Sequence, residues 1–154
     1  MLLIRLCSKR PVLSNQGIDM PENATRVLVV EDDRDFAESL VIALSTRNCE
    51  VEIARTGEDA IRLYHLHPFD IAFMDIKLPG KNGVQSLAEI LDFVPQARIV
   101  MMTGFSEPSL LEQARQAGAM DILRKPFRMR DLLGFIDRLQ NGSQQTVSPS
   151  PSTH

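Results

Sequence analysis

The chain has few of the residues that mark several common classes of protein. Its 154 residues include no tryptophan, one tyrosine, three histidines and two cysteines. Cys7 and Cys49 lie far apart, with no CxxC pair and no histidine at ligand spacing, which argues against a zinc site or a disulfide scaffold. Reduced thiols of this kind predict a cytoplasmic protein. No apolar run approaches the roughly 18 residues needed to cross a bilayer, so no membrane span is predicted.

An excess of positive charge is also missing. The chain carries 17 lysines and arginines against 20 acidic residues, a formal net charge of -3. Because nucleic-acid-binding domains present a basic patch or stripe, this balance predicts no direct binding of nucleic acid. The hydrophobic fraction of 44% is ordinary for a globular protein, and the length suits one domain with a full core.

Composition divides the chain into three parts. Residues 1–7 are a short apolar stretch interrupted by Arg5, and the residues that follow are polar and rich in helix-breaking residues, so residues 1–25 are predicted to be a disordered or weakly ordered extension. Residues 141–154 are rich in serine and proline and are predicted to be a disordered tail. The domain is therefore expected to occupy residues 26–140.

Short apolar runs alternate with helical patterns across this central part. Residues 27–30 and 71–74 are continuous apolar runs bounded by polar or turn residues, which indicates strands buried on both faces. Phe36, Leu40 and Leu44 recur at helical spacing and predict the core face of a helix. Five such strands alternate with five helices, which predicts an α/β fold: a doubly wound parallel sheet with helices on both faces.

Polar residues follow these strands at the points where the strands end. Glu31 and Asp32 follow the first strand, Asp75 ends the third, Thr103 the fourth and Lys125 the fifth. Carboxyl ends of parallel strands meet at one edge of the sheet. With the flavodoxin-like strand order 2-1-3-4-5, the first and third strands are neighbours. The three carboxylates are then expected to converge on one crevice.

Converging carboxylates need a counter-charge. Two unit charges 4 Å apart repel by about 1 to 4 kcal/mol at the dielectric constants of water and of a protein surface. A set of oxygen ligands with room for water and phosphate suits Mg²⁺ better than zinc. Taken singly, each of these polar residues is more often a helix cap or a solvated charge. Jointly, a carboxylate nucleophile, Mg²⁺, a hydroxyl and a lysine indicate phosphoryl transfer to an aspartate.

Four motifs in this order carry a resemblance to a known family: VLVVEDD, MDIKLPGKNG, MMTG and LRKPF. Over about residues 26–139, the chain resembles the receiver domain of two-component response regulators. The resemblance implies that Asp75 accepts a phosphoryl group from a phosphohistidine. The donor would be a sensor histidine kinase or a histidine phosphotransfer protein.

The resemblance also implies a role for each polar residue at the edge. Asp32 and Asp75 would bind Mg²⁺ directly, Glu31 would act through water, and the backbone carbonyl of Lys77 would complete the site. Thr103 and Lys125 would meet the phosphoryl oxygens after modification.

Two further positions near the lysine are informative. The Lys125–Pro126 peptide bond is expected to be cis. Many family members place an aromatic residue three positions before this lysine, where it moves inward upon phosphorylation. The present chain has Ile122 at that position, which puts that part of the switch in doubt.

Several alternatives remain open at this point. The chain is expected to catalyse only its own phosphorylation and dephosphorylation, for an unknown downstream protein. It could also be a receiver fragment of a larger regulator or hybrid kinase, a receiver used only as a scaffold, or a haloacid-dehalogenase-like phosphatase. That last enzyme class needs a DxDxT motif, and Asp75 is followed by Ile-Lys-Leu instead. Three arginines lie near the fifth strand: Arg124, Arg128 and Arg130. They could contact a partner protein or form a homodimer interface, or they could simply be solvated.

Overall fold

A computed structural model describes residues 23–104 and 107–142, together with three two-residue strands nearer the N-terminus. The five main strands alternate with five helices. The strands are β1 (Thr25–Val30), β2 (Cys49–Ala54), β3 (Ile71–Asp75), β4 (Ile99–Thr103) and β5 (Asp121–Arg124). The helices are α1 (Arg34–Leu44), α2 (Gly57–Leu66), α3 (Gly83–Phe93), α4 (Pro108–Ala117) and α5 (Met129–Gly142).

The five main strands form one parallel sheet in the order β2-β1-β3-β4-β5. This confirms the predicted strand order 2-1-3-4-5. The structure adds a short strand that the sequence analysis did not predict, Leu6–Cys7, which pairs antiparallel with β2 at the edge of the sheet. Two residues are too few to give a recognisable period, so this pairing had no signal in the sequence.

The five main strands and the five helices run from Thr25 to Gly142. Strand β1 begins at Thr25, one residue inside the predicted extension, and α5 ends at Gly142, two residues inside the predicted tail. The extension also contains the short strands Leu6–Cys7, Leu13–Ser14 and Gly17–Ile18. The rest of residues 1–22, and residues 143–154, lie outside the described part of the chain.

Helices cover both faces of the sheet, so the strands are buried on both sides. In β1, Val27 and Val29 pack on the layer that contains α1 and α5, whereas Leu28 and Val30 pack on the layer that contains α2, α3 and α4. This alternation follows from the two-residue period of a strand. It explains why β1 reads as a continuous apolar run. Among the described residues, no helix is long and apolar enough to span a membrane.

The N-terminus of α3 lies against the end of β3. Asn82 caps α3 by accepting from Gln85 N, and the Gln85 side chain accepts in return from Asn82 N, which forms a capping box. Gly83 N donates to Ile76 O at 2.8 Å. A Cβ at Gly83 would lie 2.2 Å from the carbonyl oxygen of Asp75. Only glycine therefore permits this close approach of helix and strand.

Candidate functional site

Three carboxylates meet at the carboxyl edge of the sheet. Strands β1 and β3 are neighbours, with Val30 opposite Met74, so the residues that follow them lie side by side. Glu31, Asp32 and Asp75 each place one carboxylate oxygen within 4.8 Å of the other two. Glu31 and Asp75 are buried, with 1% and 8% of their surface exposed, whereas Asp32 is exposed. The cluster is therefore accessible to solvent through Asp32.

Lys125 bridges two of these carboxylates. Its Nζ lies 2.8 Å from Glu31 Oε2 and 2.9 Å from Asp75 Oδ2. The backbone helps to place the lysine, because Lys125 N donates to Thr103 O at 2.7 Å. The Lys125–Pro126 bond is cis, as the resemblance implies. One ammonium group thus offsets part of the negative charge of the cluster.

Burial and charge shift the pKa values of this pair. Burial raises the pKa of Glu31 to about 7; the hydrogen bond from Lys125 opposes this shift, and the nearby charge of Asp75 adds to it. For Lys125, burial favours the neutral amine, but the hydrogen bonds to Glu31 and Asp75 outweigh it and raise the pKa above its ordinary value. Glu31 is therefore a carboxyl group whose charge changes near neutral pH.

Backbone amides fix the orientation of the carboxylates. Lys77 N donates to Asp75 Oδ1 at 3.1 Å, and Asp33 N donates to Glu31 Oε1 at 3.1 Å. Each amide lies two residues after its acceptor, so each carboxylate is held by its own following turn. Such local bonds limit rotation of the side chains without using their remaining oxygen atoms.

Thr103 and Ile122 lie on the neighbouring strands. Thr103 is buried at the end of β4, one residue beyond Met102, which pairs with Asp75 across the sheet. Ile122 is half-buried and packs against the core that β1, β3 and α4 share. It therefore contributes apolar contact where many family members have an aromatic ring.

Two neighbours of the site were missed by the sequence analysis. Phe36 packs against the core on the α1 side of the sheet, as predicted, but it is only half-buried, and Lys125 Nζ lies 4.3 Å from the centroid of its ring. Glu58, in the first turn of α2, accepts from Lys81 N at 3.1 Å and so ties the loop after Asp75 to α2. Neither contact had a sequence signal, because each joins segments that are distant along the chain.

Comparison with known proteins decides the family. The family model described as "Response regulator receiver domain" matches residues 27–137. The chain belongs to the response regulator receiver family. The residues matched include all those discussed at the carboxyl edge of the sheet. The chain is thus the receiver domain type found in two-component signalling, as the resemblance implied.

Curated relatives support the same assignment. The chain is 39% identical over 113 residues to the transcriptional regulatory protein PdtaR of Mycobacterium tuberculosis, a match that covers 73% of this chain and 55% of PdtaR. The chain therefore spans only about half the length of that relative. The chemotaxis protein CheY of Bacillus subtilis is 34% identical over 120 residues, covering 77% of this chain and 99% of CheY.

Solved structures share the fold. A CheY-like receiver domain protein from Methanospirillum hungatei superposes with a TM-score of 0.74 at 29% identity, covering 81% of this chain and all of that one. A receiver domain of the Pseudomonas aeruginosa sensor histidine kinase PA1611 is described with magnesium in its active-site cleft. It is 25% identical to this chain, with a TM-score of 0.70, and the match covers 77% of this chain and 99% of that one. A Burkholderia pseudomallei response regulator is described with a phosphorylated aspartic acid and a calcium ion. It is 25% identical to this chain, with a TM-score of 0.67, and the match covers 81% of this chain and 77% of that one.

The residues at the edge fit a divalent metal ion. Three carboxylate oxygens within 4.8 Å of one another form a hard, anionic donor set, which is the kind that Mg²⁺ and Ca²⁺ prefer. The exposure of Asp32 leaves room for the water molecules that Mg²⁺ retains. Of the solved structures compared above, one receiver domain is described with magnesium in its active-site cleft and one response regulator with a calcium ion.

We expect Mg²⁺ binding to weaken as the pH falls through about 7. The pKa of Glu31 is raised to about 7, so protons compete with the metal ion for this carboxylate below that pH. The raised pKa also means that the Glu31 contribution to stability is complete below its unfolded pKa and is lost as the pH rises through 7. Because protons compete with the metal ion less at high pH, Mg²⁺ should raise the midpoint of thermal unfolding more at pH 8 than at pH 6.

Thermal unfolding with MgCl₂ and with EDTA, at several pH values, measures this difference. Glu31→Gln is the matched control, because it keeps the shape of the side chain and cannot titrate. In that variant the Mg²⁺-induced shift should depend much less on pH. An equal shift at pH 6 and pH 8 in the wild-type protein would contradict the expectation.

Proposed function

We propose that the chain is the phosphoacceptor module of a two-component phosphorelay, in which Asp75 accepts a phosphoryl group. The donor is a phosphohistidine on a sensor histidine kinase or a histidine phosphotransfer protein. The observation that carries this proposal is the placement of buried Asp75 in contact with the Lys125 ammonium and next to the acidic pair Glu31 and Asp32, at an edge open to solvent through Asp32.

The chemistry is a displacement at phosphorus. A carboxylate oxygen of Asp75 forms the new P–O bond while the P–N bond of the phosphohistidine breaks, and the bonding electron pair stays with the imidazole nitrogen. Lys125 already contacts Asp75 Oδ2 at 2.9 Å, so its charge can stabilise the phosphoryl oxygens as they arrive. The Thr103 hydroxyl, at the end of β4, is proposed to contact the same phosphoryl oxygens after the transfer to Asp75.

Mg²⁺ is proposed as the cofactor. Asp32 and Asp75 would hold it directly, Glu31 through water, and Lys77 through its backbone carbonyl. When bound, it would supply positive charge next to the phosphoryl oxygens. The magnesium-containing and phosphorylated receiver structures described above support this assignment.

The output is proposed to be a change in a partner-binding surface. Phosphorylation of Asp75 changes the partner of Lys125 and adds negative charge beside Thr103. Both residues lie at the ends of strands that lead into α4 and α5, so the surface from β4 to α5 is where the change is expected. The chain thereby regulates a downstream protein and catalyses only its own phosphorylation and dephosphorylation.

Intact mass after incubation with MgCl₂ and acetyl phosphate tests the proposal. We expect a single phosphoryl adduct that is absent from Asp75→Asn and absent when EDTA replaces MgCl₂. Asp92→Asn is the matched control, because Asp92 is an exposed aspartate on α3, and it should label like the wild type. No adduct on the folded wild-type protein with any small phosphodonor would overturn the proposal.

A further inference from the structure

An aromatic ring on α1 lies beside the lysine of the site. Lys125 Nζ is 4.3 Å from the centroid of the Phe36 ring. The same ring contacts Phe127 edge-on, with the centroids 5.9 Å apart and the planes inclined at 70°. Phe127 follows Lys125 by two residues, so the ring is held by the segment that carries the lysine. Phe36 thus joins α1 to the strand end of β5.

The backbone of Phe36 is tied to the acidic pair as well. Phe36 N donates to Asp33 Oδ1 at 2.9 Å, and Asp33 N donates to Glu31 Oε1 at 3.1 Å. Lys125 in turn donates a hydrogen bond to the same glutamate, Glu31. The position of the ring is therefore set relative to both the lysine and the carboxylates, through contacts that begin at the N-terminus of α1.

A neutral ring can hold the lysine where carboxylates cannot. Asp75 is proposed to bind the metal ion directly and Glu31 through water, so a bound ion and its water compete with Lys125 for the oxygen atoms of these two carboxylates. An ammonium group over an aromatic face is attracted without using those oxygens. The Lys125 side chain is only 23% exposed, so this attraction is less weakened by water than it would be at the surface.

We propose that Phe36 is a positioning residue for Lys125, whose ring keeps the ammonium group directed at Asp75 while the carboxylates bind the metal ion. This inference rests on the proposed phosphorylation of Asp75. The ring itself touches no phosphoryl group and no metal ligand in the proposal. Its role is to increase the rate at which Asp75 is phosphorylated, by holding the lysine in place beforehand.

Phe36→Leu and Phe36→Tyr separate this role from simple packing. Leucine is apolar and removes the aromatic face, whereas tyrosine retains it. We expect Phe36→Leu to be labelled by acetyl phosphate about three- to tenfold more slowly than the wild type, within the range of a partly buried cation–π contact. Phe36→Tyr should label at nearly the wild-type rate. Mg²⁺ affinity, measured separately, should be unchanged in both variants.

A second background shows whether the effect acts through the lysine. In Lys125→Met, the further change Phe36→Leu should leave the residual labelling rate unaltered. The same fractional loss in both backgrounds would overturn the proposal, since Phe36 would then act only through packing. The proposal would also be overturned if Phe36→Leu, with Lys125 present, were labelled by acetyl phosphate at the wild-type rate.

An NMR measurement tests the contact independently of phosphorylation. Because Lys125 Nζ lies over the ring, the signals of the methylene protons next to it should be shifted upfield in the Mg²⁺-loaded wild type. The shift should disappear in Phe36→Leu and remain in Phe36→Tyr. An absent shift in the Mg²⁺-loaded wild type would overturn the inference even if Asp75 is phosphorylated. If the upfield shift is present but Asp75 is not phosphorylated, the proposed function would be contradicted and the contact between Phe36 and Lys125 would stand.

Discussion

Replacing Lys125 with methionine is expected to slow phosphorylation of Asp75 by about a hundred- to a thousandfold, the usual cost of removing one charge-stabilising group from an active site. The reason is that Lys125 Nζ lies 2.9 Å from Asp75 Oδ2, on the carboxylate that is proposed to form the new bond to phosphorus. Methionine is unbranched and apolar, so the change removes the charge with little loss of packing. Labelling rates with acetyl phosphate measure the effect.

The same substitution should affect Mg²⁺ binding in the opposite direction. Lys125 occupies one oxygen of Glu31 and one of Asp75, so it competes with a cation for both. We therefore expect Lys125→Met to bind Mg²⁺ more tightly while it is phosphorylated more slowly. Lys81→Met is the matched control, because Lys81 pairs with Glu89 outside the site. If Lys125→Met lost both properties together, general disruption of the site would explain the result better.

Alanine at Gly83 is expected to destabilise the domain by about 1 to 3 kcal/mol or more, as for overpacking in a tight core. A Cβ there would lie 2.2 Å from the carbonyl oxygen of Asp75 and 2.9 Å from Ile76 Cα. Both neighbours are backbone atoms, so neither can rotate away. Relief requires the start of α3 to move away from the end of β3.

Urea unfolding of Gly83→Ala and Gly134→Ala separates this clash from ordinary helix propensity. Gly134 lies inside α5, and a Cβ there would meet nothing within 4 Å. Alanine at Gly134 should stabilise the domain by roughly 0.5 to 1 kcal/mol, since glycine is a poor helix former. Equal free energies of unfolding for the two variants would show that the close approach at Gly83 has no energetic consequence.

Much of the fold could be predicted from the sequence because its strands are buried on both faces. The apolar runs in β1 and β3 have no polar alternation, which is characteristic of parallel strands covered by helices. Strand order then placed the acidic pair beside Asp75, and the structure brings these residues together with Lys125. The roles of the individual residues in phosphoryl transfer remain predictions.

The contacts around Lys125 could not be predicted in the same way. A sequence shows that a lysine follows β5, but the division of its ammonium between Glu31 and Asp75 depends on side-chain rotamers. The Phe36 ring was assigned to the core because its helical spacing matches that of Leu40 and Leu44. Helical spacing identifies a face of α1 but does not show that the first turn of that face ends beside a charged group.

Reductive mapping identifies which aspartate of the chain carries the phosphoryl group. Borohydride converts an aspartyl phosphate into homoserine, which marks the modified position in a peptide mass spectrum. After treatment with MgCl₂ and acetyl phosphate, we expect homoserine at position 75 and at no other aspartate. Homoserine at another aspartate, or none in the folded protein, would contradict the proposed phosphorylation of Asp75.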